Sequence, residues 1–206
     1  MQNFLDHIID FIFPPSKEEV ELRGISPINF LKNAKRATPA EFPFISSLFS
    51  YKYPLTRELI WQIKYKKNKH AIECAGFALH SELLKQKGEL VLIPIPLSKK
   101  RYRERGFNQC ELIIDEIIRL DVEKQFSKNF DLLIRDKNID KQTFKNRNER
   151  IENTKSIFEV IDGNIDKNTK IIIVDDVTTT GSTILEARKV LIEKGFSEIE
   201  ALTVAH

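Results

Sequence analysis

The residues with the clearest chemical potential follow the most apolar run of the chain. The segment from Ile171 to Thr183 reads IIIVDDVTTTGST, so two carboxylates follow four branched apolar residues, and hydroxyl groups then surround one glycine. If the apolar run is a strand, Asp175 and Asp176 lie at its carboxyl end, which is where open α/β sheets bind ligands. Carboxylates accept hydrogen bonds from the vicinal hydroxyls of a sugar. The acid pair therefore predicts a site for a ribose.

The polar residues after the acids suit a phosphate. Thr183 and Glu186 have the spacing of a capping box, which predicts that a helix begins here. The N–H groups and the positive dipole end of a helix N-terminus bind phosphate, and Gly181 would let the backbone come close to it. We predict that the loop binds the 5′-phosphate of the same sugar. The alternative is an ordinary connection with solvated acids and threonines that only cap the helix.

Two basic clusters also carry a chemical signal. In the first, Trp61 and Tyr65 are interleaved with four lysines, which are Lys64, Lys66, Lys67 and Lys69. In the second, Tyr102 lies among Lys99, Lys100, Arg101, Arg103 and Arg105. Cations that contact phosphates and rings that stack on bases are what the binding of single-stranded nucleic acid requires. The same clusters are also explained by a solvated surface, or by cations that bind pyrophosphate.

The elements that position these residues alternate between strands and helices. Short apolar runs predict strands at ELVLIP, IIIVDD and EIEALTVAH, and helical periodicity is clear at residues 69–85, in ELIIDEIIRL and in ILEARKVLIEK. The segment KKRYRERGFNQ is predicted to be a charged loop. A continuous apolar run such as IIIV is typical of a strand buried on both faces of a parallel sheet. The pattern predicts an α/β fold with a mostly parallel twisted sheet flanked by helices.

Composition sets the class of protein. The chain has 206 residues, of which 41% are hydrophobic and 31% charged, and its formal net charge of +3 says little about partners. No apolar run is long enough to cross a bilayer, so we expect no membrane insertion. The two cysteines, Cys74 and Cys110, suggest neither a disulfide framework nor a metal site, and we predict a cytoplasmic location. Cys110 has two interpretations, a buried thiol or a thiol with a pKa lowered by a helix N-terminus.

The proline-rich first part of the chain differs from the rest. We predict an extension over residues 1–50, with a helix at residues 3–13 and an irregular connector, followed by one α/β domain over residues 51–206.

Several separated blocks resemble the ComF branch of the type I phosphoribosyltransferases, a branch associated with DNA uptake in natural competence. VDDVTTTGST is similar to the superfamily's motif for phosphoribosyl pyrophosphate (PRPP), and the most branch-specific block is RGFNQ at Arg105–Gln109. The other blocks, in family order, are YKYPLTRELIWQIKYKKN, VLIPIPLSKKRYRERGFNQ and LLIRDKNIDKQTFKNRNERIENTKSIFEV. The resemblance implies the type I phosphoribosyltransferase fold.

The resemblance also implies roles for individual residues. Asp175 and Asp176 would hold the ribose hydroxyls and act in any catalysis, and the residues that complete the PRPP loop would be Val177, Thr178, Thr179, Thr180, Gly181, Ser182 and Thr183. The pyrophosphate loop would be Ile95, Pro96, Leu97 and Ser98. Residues 135–150 correspond to the flexible loop that closes over PRPP, and the cations for pyrophosphate would be Arg101, Arg105, Arg135 and Arg147. Mg²⁺ would bind together with PRPP.

One departure from the family lies near the start of the chain. ComF proteins commonly carry a four-cysteine zinc ribbon after a short helix that ends in Phe-Pro-Pro. Here Ser16 stands where the first cysteine would be, and no cysteine precedes Cys74. A structural zinc requires four such ligands, so we expect no protein-bound zinc.

Two functions from different classes follow from the resemblance. In the first, the protein binds PRPP with Mg²⁺ and handles single-stranded DNA during natural transformation, with the competence helicase or translocation machinery as a partner; Lys64, Lys66, Lys67, Lys69 and Arg103 would contact the DNA. In the second, it is a phosphoribosyltransferase that transfers phosphoribose to a nucleobase-like acceptor. The acceptor and the oligomeric state are not indicated by the sequence.

Overall fold

The structure is a computed structural model that describes residues 14–135, 156–161 and 165–206. The helix predicted at residues 3–13, Arg147 and most of the predicted flexible loop lie outside these residues. The helices are α1 (Lys17–Gly24), α2 (Pro27–Asn33), α3 (Pro54–Trp61), α4 (Lys69–Leu83), α5 (Lys99–Arg105), α6 (Gln109–Leu120) and α7 (Ser182–Glu193), with a π-helical turn at Gln62–Lys66. The strands are β1 (Ile45–Phe49), β2 (Leu90–Pro94), β3 (Phe126–Lys128), β4 (Leu133–Arg135), β5 (Phe158–Val160), β6 (Lys170–Val177) and β7 (Ile199–Ala205).

The main sheet has five strands in the order β1-β7-β6-β2-β3, and every neighbouring pair is parallel. β6 lies at its centre, between β7 and β2. β4 and β5 form a separate antiparallel pair. The predicted α/β class with a mostly parallel sheet is confirmed. Within the described residues, no helix combines the length and apolar character needed to span a bilayer.

The two faces of β6 belong to two different cores. Ile172 and Val174 pack in a cluster with α2, α3, α4 and α6, whereas Ile171 and Ile173 pack in a cluster with α7 and the β4–β5 pair. Because side chains alternate along a strand, a strand covered on both sides must be apolar at every position. This explains the unbroken IIIV run, which ends where the carboxyl edge of the sheet begins.

Close packing of α4 on α6 holds their first turns at that edge. A Cβ atom at Gly76 of α4 would lie 2.4 Å from Cγ of Glu116 in α6, so only glycine allows this approach without a shift. Both helices begin at asparagine caps, in which Asn68 Oδ1 accepts from Ala71 N and Asn108 Oδ1 accepts from Cys110 N. The Asn108 side chain also donates to Ile95 O at 3.0 Å, which ties α6 to the loop after β2.

The segment KKRYRER is a helix, α5, so its assignment as a charged loop was wrong. Ser98 caps the helix by accepting from Arg101 N at 3.3 Å, and Gly106 ends it with a φ of 78°. An exposed helix has no apolar periodicity to detect. The serine and the glycine were the available signals, because serine favours the N-cap and glycine the left-handed position after a helix.

Residues 14–50 contain more regular structure than the predicted irregular connector. They form α1, α2 and β1, and β1 pairs with β7 as an edge strand of the main sheet. Phe30 of α2 and Phe49 of β1 are fully buried, with an edge-to-face contact at 5.2 Å between ring centroids. Strand β1 therefore belongs to the main sheet, although the predicted boundary at residue 50 places it in the extension.

Candidate functional site

The two acids lie where β6 reaches the carboxyl edge of the sheet. Asp176 is buried, and its Oδ1 accepts a hydrogen bond from Val177 N at 2.9 Å. Asp175 is half-buried, and its Oδ1 accepts from Asp176 N at 2.8 Å and faces the thiol of Cys110 at 3.6 Å. Local backbone contacts thus fix one oxygen of each carboxylate.

Lys64 supplies the long-range partner of Asp176. Its Nζ lies 2.7 Å from Asp176 Oδ2, with 19% of the lysine side chain and 5% of the aspartate side chain exposed. The lysine belongs to the π-helical turn, which closes where Lys67 adopts a φ of 48° and Asn68 N donates to Gln62 O. Such turns occur often at functional sites. Lys64 was predicted to contact DNA, and the structure instead places its ammonium group against Asp176, one of the two acids predicted to hold a ribose.

Burial raises the pKa of Asp175 to about 7; the charge of Asp176 adds to this rise, while the Asp176 backbone N–H and the Lys64 ammonium oppose it. Burial and the two neighbouring carboxylates raise the pKa of Cys110 well above its usual range. The interpretation of Cys110 as a buried thiol is confirmed, and the idea of a lowered pKa at the helix N-terminus is wrong.

The affinity for ribose 5-phosphate is expected to rise between about pH 6 and pH 8, because a carboxyl group with a pKa of about 7 becomes a full acceptor over that window. The free energy of unfolding depends on pH in the opposite sense to the affinity. The folded-state pKa exceeds the unfolded value of about 3.9, so the folded state holds the proton more tightly and stability falls between about pH 4 and pH 7. Calorimetric titration and thermal unfolding across this range measure the two effects.

Asp175→Asn is the control for this dependence, since it removes the titrating group. The affinity that remains in the variant changes only with the phosphate group, whose second pKa is about 6. Identical pH profiles for the wild type and Asp175→Asn would contradict the assignment.

The loop after β6 leads directly into α7. Thr178 N donates to Ala205 O at 3.0 Å, which anchors the loop to β7, and the N-cap of α7 is Gly181, with a φ of 72°. The predicted capping box of Thr183 and Glu186 is wrong, because Glu186 Oε1 instead accepts from Ser156 Oγ and Ile157 N. Gly181 has no side chain with which to cap the helix, and the first helical N–H, at Ser182, donates to Thr180 Oγ1 at 3.4 Å.

A cavity of about 120 Å³ lies against this loop. Its walls include Thr178–Gly181 together with Glu41, Phe42 and His206. The His206 ring nitrogen Nε2 lies 2.9 Å from Thr179 O. The loop is therefore backed on one side by residues from the segment before β1 and from the segment after β7.

The predicted pyrophosphate residues within the described ranges lie on the β2–α5 connection, on α5 and at the end of β4. Ile95–Ser98 connect β2 to α5, and Arg101 is exposed on α5. Arg105 donates from Nη1 to Gln109 Oε1 at 2.8 Å, and its guanidinium carbon lies 5.6 Å from the centroid of the Tyr65 ring. Arg135 ends β4, with its guanidinium carbon 5.8 Å from the Phe158 ring centroid.

Rings and cations from the end of α3, the π-helical turn and α5 form a continuous row, which we call the aromatic-basic strip (Trp61, Tyr65, Lys66 and Arg105). The Trp61 and Tyr65 rings lie 5.9 Å apart and are 42% and 60% exposed as residues. Lys66 Nζ lies 5.5 Å from the Trp61 ring centroid, and Arg105 lies over Tyr65. Exposed rings flanked by cations can stack bases and contact phosphates.

The remaining residues predicted to contact DNA surround the strip or lie on α5. Lys67 Nζ lies 5.4 Å from the Phe107 ring centroid. The Lys69 side chain is 91% exposed, with its Nζ 3.7 Å from Glu73. Arg103 is exposed on α5 and donates to Lys99 O.

Three groups at the acid pair are close enough to share a metal ion. The ligand atoms of Cys110, Asp175 and Asp176 lie within 4.8 Å of one another. The Cys110 thiol holds its proton, and the Lys64 ammonium is 2.7 Å from Asp176. A metal ligand must be deprotonated, so these contacts disfavour a metal held by all three groups.

Sequence reasoning missed three neighbours of the site, namely Lys64 at Asp176, Cys110 at Asp175 and the cavity wall formed by Phe42 and His206. Each comes from a segment far away in the sequence, and no local pattern indicates the contact.

The chain is similar to curated competence proteins. It is 38% identical to competence protein ComFC of Bacillus subtilis over 113 residues, which cover 51% of this chain and 39% of that protein. It is 34% identical to ComFC of Streptococcus pneumoniae (60% and 51% covered) and 32% identical to competence protein F of Haemophilus influenzae (55% and 49% covered). The chain spans about half the length of these relatives or less, and no family model matches it. The ComF resemblance carried by the motifs is confirmed.

Solved structures similar to this chain include two phosphoribosyltransferases. A hypoxanthine phosphoribosyltransferase from Staphylococcus aureus has a TM-score of 0.41 at 16% identity and covers 64% of this chain and 61% of that one. An adenine phosphoribosyltransferase from Trypanosoma brucei has a TM-score of 0.44 at 13% identity and covers 82% and 86%. The chain's own parallel sheet, with its acid pair and threonine-rich loop at the carboxyl edge, agrees with the type I phosphoribosyltransferase fold predicted from the sequence.

Proposed function

We propose that this protein binds PRPP with Mg²⁺ and handles single-stranded DNA in the cytoplasm during DNA uptake. Its similarity to competence proteins supports the process. The observation that carries the proposal is the contact between Lys64 and Asp176, because it joins a turn that bears exposed aromatic and basic side chains to an acid pair suited to ribose. A partner in the competence helicase or translocation machinery remains part of the proposal.

The groups at the acid pair suit a ribose with its phosphate. Asp175 is half-buried at the carboxyl edge of the sheet, and its carboxylate can accept from a sugar hydroxyl. Gly181 lets the loop backbone approach a phosphate, and α7 directs its N-terminus to the same place. For Mg²⁺, carboxylate oxygens are hard ligands of the right kind; the ion would supply charge neutralisation for pyrophosphate, with Asp175 orienting the sugar.

The alternative function, transfer of phosphoribose to a nucleobase-like acceptor, draws support from the acids themselves, whose charge would stabilise a cationic sugar carbon. Lys64 works against this, because its ammonium lies 2.7 Å from Asp176 and offsets that charge. We therefore favour a binding role over transfer. Release of pyrophosphate from PRPP in the presence of a panel of bases, above the level of an Asp175→Asn/Asp176→Asn double variant, would reverse this preference.

Two reciprocal variants test the proposed function. Asp176→Asn is expected to lower the affinity for PRPP and Mg²⁺ about tenfold, since a neutral amide replaces a charged acceptor. The same variant is expected to bind a 5′-hydroxyl DNA single strand nearly as well as the wild type. Lys66→Glu with Lys67→Glu is expected to show the reverse. Calorimetry for PRPP and fluorescence anisotropy for DNA measure the two affinities.

The reciprocal pattern makes each half of the proposal refutable. Unchanged PRPP binding in Asp176→Asn would remove the ribose assignment. An unchanged DNA affinity and salt dependence in the lysine variant would remove the DNA assignment at this cluster.

A further inference from the structure

The aromatic-basic strip and the phosphate loop meet at one contact. Lys64 lies within the turn that carries Tyr65 and Lys66, and its ammonium group lies 2.7 Å from Asp176. Thr178, the first hydroxyl residue of the loop, lies two positions after Asp176. A phosphorylated sugar in the loop and a strand on the strip would therefore be neighbours, and one chain of nucleotides could occupy both.

A 5′-terminal nucleotide offers the loop the same atoms as ribose 5-phosphate, from the phosphorus to the sugar ring. The two ligands differ at the 3′ oxygen, where a strand carries a phosphodiester in place of a hydroxyl. Beside two bare carboxylates that charge would be repelled. Lys64 offsets it, because its ammonium group lies 2.7 Å from Asp176 Oδ2 and its side chain is 19% exposed, and Lys66 and Lys67 follow closely in the sequence.

One side of the loop is walled by side chains, with only the cavity of about 120 Å³ between them and the loop. A Cβ atom on Gly181 would lie 3.0 Å from Ile45 Cδ1 and 3.3 Å from Phe42 Cδ2, so side chains back the loop directly. Glu41 also lines this cavity. An internal nucleotide must continue in both directions, whereas a terminal one continues only toward the strip. The loop thus suits a strand end.

We propose that the protein recognises the 5′-phosphorylated end of a DNA single strand, with the terminal phosphate in the loop at residues 178–183 and the following nucleotides on the aromatic-basic strip. This inference rests on the proposed function, since it requires both the phosphate loop and the strip to bind their ligands. It adds the class of DNA substrate, which is an end and not an internal segment.

Fluorescence anisotropy with one oligonucleotide sequence in three forms tests the proposal. The forms carry a 5′-phosphate, a 5′-hydroxyl, or a 5′-hydroxyl with a 3′-phosphate, and the label is internal. The 5′-phosphate form is expected to bind about tenfold more tightly than the other two, the gain of about one charge-assisted phosphate contact. Saturating ribose 5-phosphate is expected to reduce its affinity to that of the 5′-hydroxyl form, and Gly181→Ala is expected to remove the preference.

Other outcomes overturn the proposal in distinguishable ways. If the 5′-phosphate and 5′-hydroxyl forms bind equally while ribose 5-phosphate also binds in calorimetry, the end recognition is wrong and the proposed function stands. An equal gain from the 3′-phosphate would show a general charge effect and would also overturn it. If no form of the oligonucleotide binds, the proposed DNA function fails together with the inference.

Discussion

Gly181→Ala is expected to lower the affinity for ribose 5-phosphate more than about tenfold, a change of about 1.4 kcal/mol. The backbone at this position has a φ of 72°, which residues other than glycine rarely adopt. The added methyl group would also lie 3.0 Å from Ile45 Cδ1, so the loop or the wall behind it must move. A small displacement of the loop misaligns the N–H groups that we expect to bind the phosphate.

Gly88→Ala is a matched control for the strain alone. Gly88 has a φ of 88°, but nothing lies within 4 Å of a Cβ atom built there, and it precedes β2 at the opposite edge of the sheet. Both variants should lose roughly 1–2 kcal/mol of stability from the left-handed backbone. Only Gly181→Ala should lose ribose 5-phosphate, as measured by calorimetry. A folded Gly181→Ala protein with wild-type affinity would show that the loop does not bind the phosphate.

The position of the acid pair was predictable because it depends on local pattern. An unbroken apolar run means burial on both faces of a parallel sheet, and ligands of such sheets bind at the carboxyl ends of the strands. Asp175 and Asp176 end such a run, and the structure places them at that edge. Strand β6 and helix α7 were predictable for the same reason, since each has a local pattern of apolar residues.

The partners of the acid pair were not predictable, because they come from distant segments brought together by the fold. Lys64 lies in a cluster of four similar lysines, and nothing in the sequence separates the one that turns inward from those that remain exposed. The structural reason lies in the π-helical turn. Buried Gln62 donates to Glu58 and accepts from Asn68, and this fixes a turn in which Lys64 faces Asp176 while Tyr65 and Lys66 stay exposed.

The inward turn of Lys64 also changes the meaning of the cluster. A row of lysines beside two rings suggests a surface that binds DNA alone, whereas the structure joins that surface to the acid pair through the ion pair of Lys64 with Asp176. Any ligand that draws Lys64 away from Asp176 alters the charge at the acids. The two proposed sites are therefore expected to interact, and binding at one to affect affinity at the other by the same factor in both directions.

Replacement of the strip's rings is the second change with a large expected effect. Trp61→Ala and Tyr65→Leu are each expected to weaken binding of a DNA single strand about tenfold or more, because a stacked base contributes roughly 1–3 kcal/mol. Tyr65 is 60% and Trp61 42% exposed, and neither belongs to the two buried cores, so their loss should change the thermal unfolding temperature little. Tyr65→Phe keeps the ring and is expected to retain most of the wild-type affinity for DNA.

Salt dependence separates the rings of the strip from its cations. Each phosphate contact made by a lysine contributes about 0.7 to the slope of log affinity against log salt for single strands. Lys66→Gln should therefore reduce the slope by about that amount. Tyr65→Leu should lower the affinity at every salt concentration and leave the slope unchanged. Anisotropy titrations over a range of salt concentrations distinguish the two. If Tyr65→Leu and Tyr65→Phe bind with equal affinity, the ring does not stack on a base, and the strip binds DNA through its charges alone.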